Sequence, residues 1–186
     1  MTGVVEAPFG GTARSITNRI QTEDFDVGGY GVAYHTTDAC GIGIDTAYGS
    51  DRLNVYPTAD LDGASNLKVG CYQVGDWHNY TITAATTGSY TLNLRVANIE
   101  AGATYHVAID GATVVKGIAV PNTGGYDTFA TVTSALFGLT AGQHVMQIAL
   151  DAAGPSSFGG DFNWMQGTLV KAGAISTKNV DINVTH

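Results

Sequence analysis

The chain has 186 residues, 44% of them apolar, and a net charge of −8 with only 8 Lys and Arg. That length suits one domain with a real core, and the apolar fraction speaks against a disordered chain. The few cations are scattered, so no nucleic acid and no anionic membrane surface is expected as a partner. There is also no run of 18 apolar residues to span a bilayer.

Residues 1–11 have no basic stretch followed by an apolar one, so they do not read as a signal peptide. Residues 1–14 are taken as an N-terminal extension without pattern, residues 15–170 as one folded module, and residues 171–186 as a polar tail. The tail is read as a linker to a neighbouring domain or an edge strand. The acids are mostly Asp, with Glu only at positions 6, 23 and 100, and there are 25 Gly. Asp and Gly favour turns and Glu favours helices, so the composition points to an all-β protein.

The elements follow from alternation with period two. Residues 77–83 form a first candidate strand. In residues 89–97, Tyr90, Leu92, Leu94 and Val96 share one face, and Thr91, Asn93 and Arg95 the other. That is a half-buried strand. Tyr105, Val107 and Ile109 repeat the pattern, and Asp110-Gly111 supplies a hairpin turn before a strand starting near Thr113. Residues 129–133, 144–150 and 162–170 complete the set. Both faces of 144–150 are apolar, which predicts a central position. No segment predicts a helix. The long or Gly-rich connections 28–53 and 120–127 are where binding residues would sit. This is a sandwich or jelly roll.

Cys40 and Cys71 are the only cysteines. They form one disulfide of an oxidising compartment or remain two buried thiols, and the sequence does not decide between them. Trp77 and Trp164 lie inside predicted strands and are read as core residues. Gln21 and Glu23 are two apart on a predicted strand and so point the same way. Hard oxygen ligands on one face suit calcium. His35, His78, His106 and His144 show no zinc spacing. Gly-x-Ser-x-Gly and His-Glu-x-x-His are absent. No clustered carboxylate pair of the kind glycoside hydrolysis uses is visible.

Six ordered segments look familiar. They are Arg19-Ile-Gln-Thr-Glu-Asp-Phe25, Gly28-Gly-Tyr-Gly-Val-Ala-Tyr-His-Thr-Thr-Asp38, Val74-Gly-Asp-Trp-His-Asn-Tyr-Thr-Ile82, Gly88-Ser-Tyr-Thr-Leu-Asn-Leu-Arg-Val-Ala97, Val120-Pro-Asn-Thr-Gly-Gly-Tyr-Asp-Thr-Phe129, and Leu139-Thr-Ala-Gly-Gln-His144 leading to Asp161-Phe-Asn-Trp164. In that order, over residues 15–167, the chain resembles a family 6 carbohydrate-binding module. The resemblance implies a jelly-roll β-sandwich of two antiparallel sheets, a structural calcium ion (Ca2+), and a sugar cleft in the loops.

It also implies roles. Tyr34 and Tyr126 fall where two aromatics sandwich a sugar, since a ring can cover the apolar face of a pyranose. Many relatives carry Trp where Tyr126 stands. Three residues before Trp164, where relatives carry Asn, this chain has Asp161. Either Asp161 takes over the hydrogen-bonding role with altered preference, or Asn163 or a local shift supplies the amide. Tyr30 extends the aromatic surface or lies on its rim. Gln21 and Glu23 resemble the calcium segment, with Asn163 as the partner from the last strand. The expected function is non-catalytic: a secreted, monomeric module that binds a polysaccharide or oligosaccharide (β-glucan, xylan or an algal galactan) and targets a parent hydrolase or lyase to it. Two other readings stay open. One is a small jelly-roll hydrolase or lyase. The other is an adhesion domain without a sugar site, which predicts Tyr34 and Tyr126 buried or far apart.

Overall fold

The computed structural model of the chain describes residues 5–37, 40, 54–60 and 65–173. The tail beyond residue 173, read above as a linker or an edge strand, lies outside the described residues. So does most of the connection 38–53.

Thirteen strands are described. Five short ones come first: β1 (Arg14–Ser15), β2 (Ile20–Gln21), β3 (Tyr34–His35), β4 (Val55–Pro57) and β5 (Leu67–Val69). The longer ones follow: β6 (Trp77–Ala84), β7 (Gly88–Asn98), β8 (Ala103–Ile109), β9 (Ala112–Val120), β10 (Gly125–Thr133), β11 (Phe137–Leu139), β12 (Gly142–Ala152) and β13 (Asp161–Ala172). The only helical pieces among the described residues are two three-residue 3₁₀ turns.

The strands form two sheets, as the alternation predicts. One runs β1-β6-β12-β8-β9, with β3 also on β6. The other runs β10-β7-β13-β5-β4, with β11 also on β7 and β2 on β13. All ladders are antiparallel except β1 with β6. β12 lies between β6 and β8, the central position its two apolar faces predict. In β7, Tyr90, Leu92, Leu94 and Val96 are buried while Thr91, Asn93 and Arg95 are half-buried. A one-residue slip would invert that pattern, so the burial fixes the register.

The Asp110-Gly111 turn closes the β8–β9 hairpin with positive φ at both residues (51° and 79°). Asp110 locks it: Oδ1 accepts from the Val145 amide at 2.9 Å and Oδ2 meets His144 Nδ1 at 2.7 Å. Residues before the module also join the fold. Ala7 bridges Val27, and Glu6 Oε1 accepts from Asn79 Nδ2 at 2.8 Å.

One end of the core is aromatic. Tyr72, Tyr105 and Phe162 meet with centroids 4.6–5.4 Å apart, all near edge-on, the geometry that aromatic quadrupoles favour. Phe162 belongs to β13, at the middle of its sheet, and is opposite Val96 on one side and Val69 on the other. Trp164 is buried as expected, with the Arg19 guanidinium 4.2 Å from its ring. Trp77 differs. It is half-buried on the outer face of its sheet, its ring stacked beside His35. Alternation along β6 turns Tyr80 and Ile82 inward, and the odd-numbered Trp77 cannot follow them.

Because Phe162 fills the joint between three strands, Phe162→Ala is expected to cost about 3–5 kcal/mol. The shift in urea midpoint at unchanged m-value measures it.

Candidate functional site

A cleft of about 370 Å³ opens at the edge formed by β4, β5 and the start of β10 and β13. Its aromatic lining is Tyr56, Tyr126 and Phe158, and its polar lining is Lys68 and Asp161. The Cys40–Cys71 pair also lines it, joined as a disulfide with Cα atoms 6.0 Å apart. The choice the sequence leaves open between bridge and free thiols is thereby settled in favour of the bridge.

Tyr126 stands at the foot of β10, presented by Gly124, whose φ of 92° suits glycine. Asp161 opens β13. Its carboxylate is buried between the Lys68 ammonium, 2.9 Å from Oδ2, and the Cys71 amide, which donates to it. Gly70 permits this: a Cβ there would fall on the Asp161 carboxylate. Gly160 permits the approach from the other side, with φ 93° and the Ala97 carbonyl where a Cβ would sit. Burial raises the Asp161 carboxyl to about 6 against the opposing pull of Lys68. Burial works to lower the Lys68 pKa, but Asp161 and Asp127 together outweigh it and hold the ammonium above its ordinary value.

Two expected cleft residues are elsewhere. Tyr34 is 5% exposed and packs on Phe25 and His78. Its pairing with His78 on β6 places it in the other sheet from Tyr126 and turns the ring into the core. It is therefore a core residue and not a wall of this cleft. Tyr30 is 59% exposed but packs beside His35 and Tyr34, away from the cleft lining. An adhesion domain would show the first of these features. Tyr126 itself lines the cleft beside a buried carboxylate. Tyr56 and Lys68, which line the cleft, carried no sequence signal: each is a single residue on a three-residue strand.

Asn163 also departs from its expected cleft role. It is fully buried, and its Nδ2 donates to Asp60 Oδ2 at 2.8 Å. Arg95 grips the same Asp60 carboxylate through two bonds of 2.9 and 3.0 Å. Gln21, Glu23 and Asn163 do lie in one neighbourhood. Gln21 is opposite Trp164 in the β2–β13 ladder, and Thr22 donates to the Phe162 and Asn163 carbonyls at 2.7 and 3.0 Å. The expected strand carrying Gln21 and Glu23 ends at Gln21, however, and Glu23 sits in the 3₁₀ turn Thr22–Asp24. Both are buried. Glu23 accepts the Ser65 hydroxyl. Gln21 Oε1 and Asn163 Oδ1 are buried with no hydrogen-bond partner among the described residues. Such carbonyl oxygens are costly to leave unmatched, and a hard cation would satisfy them. The donors therefore fit calcium. No cluster of three or more His, Cys, Asp or Glu exists among the described residues.

Comparison with known proteins gives the family of the chain. The sequence pattern of the carbohydrate binding module, family 6, matches residues 47–168. The chain belongs to that family, whose members bind carbohydrate without catalysing its conversion. It is similar in fold to a β-1,3-glucan-binding family 6 module from Bacillus halodurans, with a TM-score of 0.62 at 20% identity over 84% of this chain and 98% of that one. It is also similar to part of a family 43 arabinoxylan arabinofuranohydrolase from Bacillus subtilis, with a TM-score of 0.63 at 21% identity over 85% of this chain and 28% of that one. A curated relative, the clotting factor G alpha subunit of Tachypleus tridentatus, is 29% identical over 91 residues. That match spans 48% of this chain and only 13% of the relative.

Gly70→Ala forces the Asp161 carboxylate out of its pocket. The expected cost is about 1–3 kcal/mol, read as a lower denaturation midpoint. The neighbouring Gly75→Ala is not a fair control, since φ there is 95°. An exposed Thr131→Ala serves instead.

Proposed function

We propose that the cleft lined by Tyr56, Tyr126, Phe158 and Asp161 binds a polysaccharide of the β-glucan, xylan or galactan class and holds a parent glycan-degrading enzyme on it. The observation that carries this is the juxtaposition of aromatic rings with one buried carboxylate in a chain of this family. Rings cover the apolar face of a sugar at about 25 cal/mol per Å². The carboxylate accepts hydroxyl protons and fixes orientation. Affinity for one or two sugars is modest, and tethering raises the effective concentration of the enzyme at its substrate. A domain of this fold makes up 28% of the arabinofuranohydrolase chain, which is a glycan-degrading enzyme. The disulfide supports an extracellular setting. The module acts as a monomer in this reading.

Calcium completes the proposal. Gln21, Glu23 and Asn163 would hold it, and it would join the 3₁₀ turn after β2 to β13 as a structural staple. Its contribution is to stability, by binding the folded state alone.

Two outcomes are expected. In pull-down and calorimetry against a polysaccharide panel, Tyr126→Ala weakens binding at least about tenfold, the 1.4 kcal/mol of part of one stacked ring, with an unchanged melting temperature. Binding that survives the substitution would move the site off this cleft. For the metal, EDTA lowers the melting temperature by several degrees and added calcium restores it. Glu23→Gln lowers the melting temperature and abolishes that response. A melting temperature indifferent to EDTA would remove calcium from the account.

A further inference from the structure

Both halves of the Cys40–Cys71 bridge line the cleft, and both are half-buried. Cys40 comes from the connection 28–53, and Cys71, 31 positions later, follows β5. Residues 70–72 are where the walls of the cleft meet. The Gly70 amide donates to the Asn54 carbonyl at 2.9 Å, which holds the Tyr56 side. The Cys71 amide donates to Asp161. The Tyr72 carbonyl accepts from the Gly159 amide at 2.8 Å, which holds the Phe158 side. The Tyr56 hydroxyl meets Cys71 Sγ at 3.4 Å. One short segment thus sets two aromatic walls relative to the carboxylate between them.

Cys71 is held in a backbone conformation that side chains disfavour. Its φ is 55°, in the left-handed region. A residue other than glycine stays there only when its surroundings over-determine it. The covalent bond to Cys40 is the strongest of those restraints. The two segments are also joined beside the bridge. Thr37 donates to Asp76 Oδ1 at 3.0 Å through its amide and to Gln73 Oε1 at 2.6 Å through its hydroxyl, and Asn54 Nδ2 donates to the Thr36 hydroxyl at 2.7 Å. These bonds keep the segments docked without the bridge, but none of them reaches residue 71.

We propose that the Cys40–Cys71 disulfide is a positioning element of the cleft, whose reduction lowers ligand affinity without unfolding the sandwich and so confines binding to oxidising surroundings. This rests on the glycan-binding reading above and adds its regulation. A dithiol supplies the two electrons: its thiolate attacks one sulfur of the bridge, the bridge becomes two thiols, and the dithiol leaves as its own disulfide. Cys71 is then free to leave the left-handed region. Its amide turns from Asp161, and the walls on either side lose their common anchor.

The test is calorimetry of the full chain with cello-, laminari-, xylo- and agaro-oligosaccharides, before and after dithiothreitol, below the melting temperature of both forms. Thiol titration follows the reduction and circular dichroism follows the fold. For whichever oligosaccharide the oxidised chain binds, reduction should weaken binding at least about tenfold, with the β-sheet spectrum retained. The double variant Cys40→Ser, Cys71→Ser should bind as the reduced chain does and ignore dithiothreitol. Saturating oligosaccharide should in turn make the bridge about tenfold harder to reduce at equilibrium, the same coupling read in reverse. A bridge that serves stability alone lowers the melting temperature on reduction and leaves the dissociation constant of the folded chain unchanged. That result overturns the inference and leaves glycan binding intact. So does loss of the β-sheet spectrum on reduction. No binding by the oxidised chain overturns the glycan-binding reading itself, and this inference with it.

Discussion

Three consecutive residues of β13 hold the molecule together. Phe162 points inward to Tyr72 and Tyr105, while Asp161 and Asn163 on either side take buried polar positions. Alternation puts those two on the same outer face, about 7 Å apart along the strand. One carries the floor of the cleft and the other belongs to the oxygen-rich cradle with Gln21 and Glu23. Their positions depend on one inward ring, whose place is set by Val96 and Val69 on the flanking strands. The cleft and the cradle are therefore not independent decorations. Any shift of β13 along its neighbours moves both.

The outer face of that sheet is unusual in burying charge. Arg95 and Asn163 share Asp60, and Lys68 joins Asp127 to Asp161. Removing such groups from water costs several kcal/mol per ion, and the attraction between them often does no more than offset it. What the charges provide is fixed geometry: Asp60 ties the connection after β4 to β7 and β13, and Lys68 ties β5 to the start of β10. The edge where the cleft opens is thus braced by ions, where the interior is braced by rings.

The long strands were legible because each shows several turns of the two-residue pattern. Tyr90 to Val96 and Tyr105 to Ile109 each give three or four inward residues in register. β1 to β5 and β11 have two or three residues, too few for a period to exist. They take their conformation from the strand they join, so their ladders are decided by tertiary contacts that no local pattern records. The same limit explains the site. Tyr126 follows two glycines in a loop and could be placed by resemblance. Tyr34 could not, because whether its ring faces a ligand or Phe25 depends on β3 pairing with β6. Gln21 and Glu23 are both buried, but the strand expected to align them gives way to a 3₁₀ turn at Thr22. Lys68 left no trace at all, since a lone lysine between Leu67 and Val69 reads as an ordinary solvated position on an edge strand.

That invisibility has a physical source. A lysine's environment is set by what covers it, and here the cover comes from residues 58 and 93 positions further along the chain, at Tyr126 and Asp161. The carboxylate of Asp161 and the burial of Lys68 belong together. A carboxylate alone at that depth would be driven to its neutral form. An ammonium alone would be driven the same way. Paired, each keeps the other charged, and the cleft retains an acceptor of a strength that a neutral amide lacks. The carboxylate at position 161 is therefore one half of a two-residue arrangement whose other half lies on a different strand, and the cleft's chemistry follows from the pair.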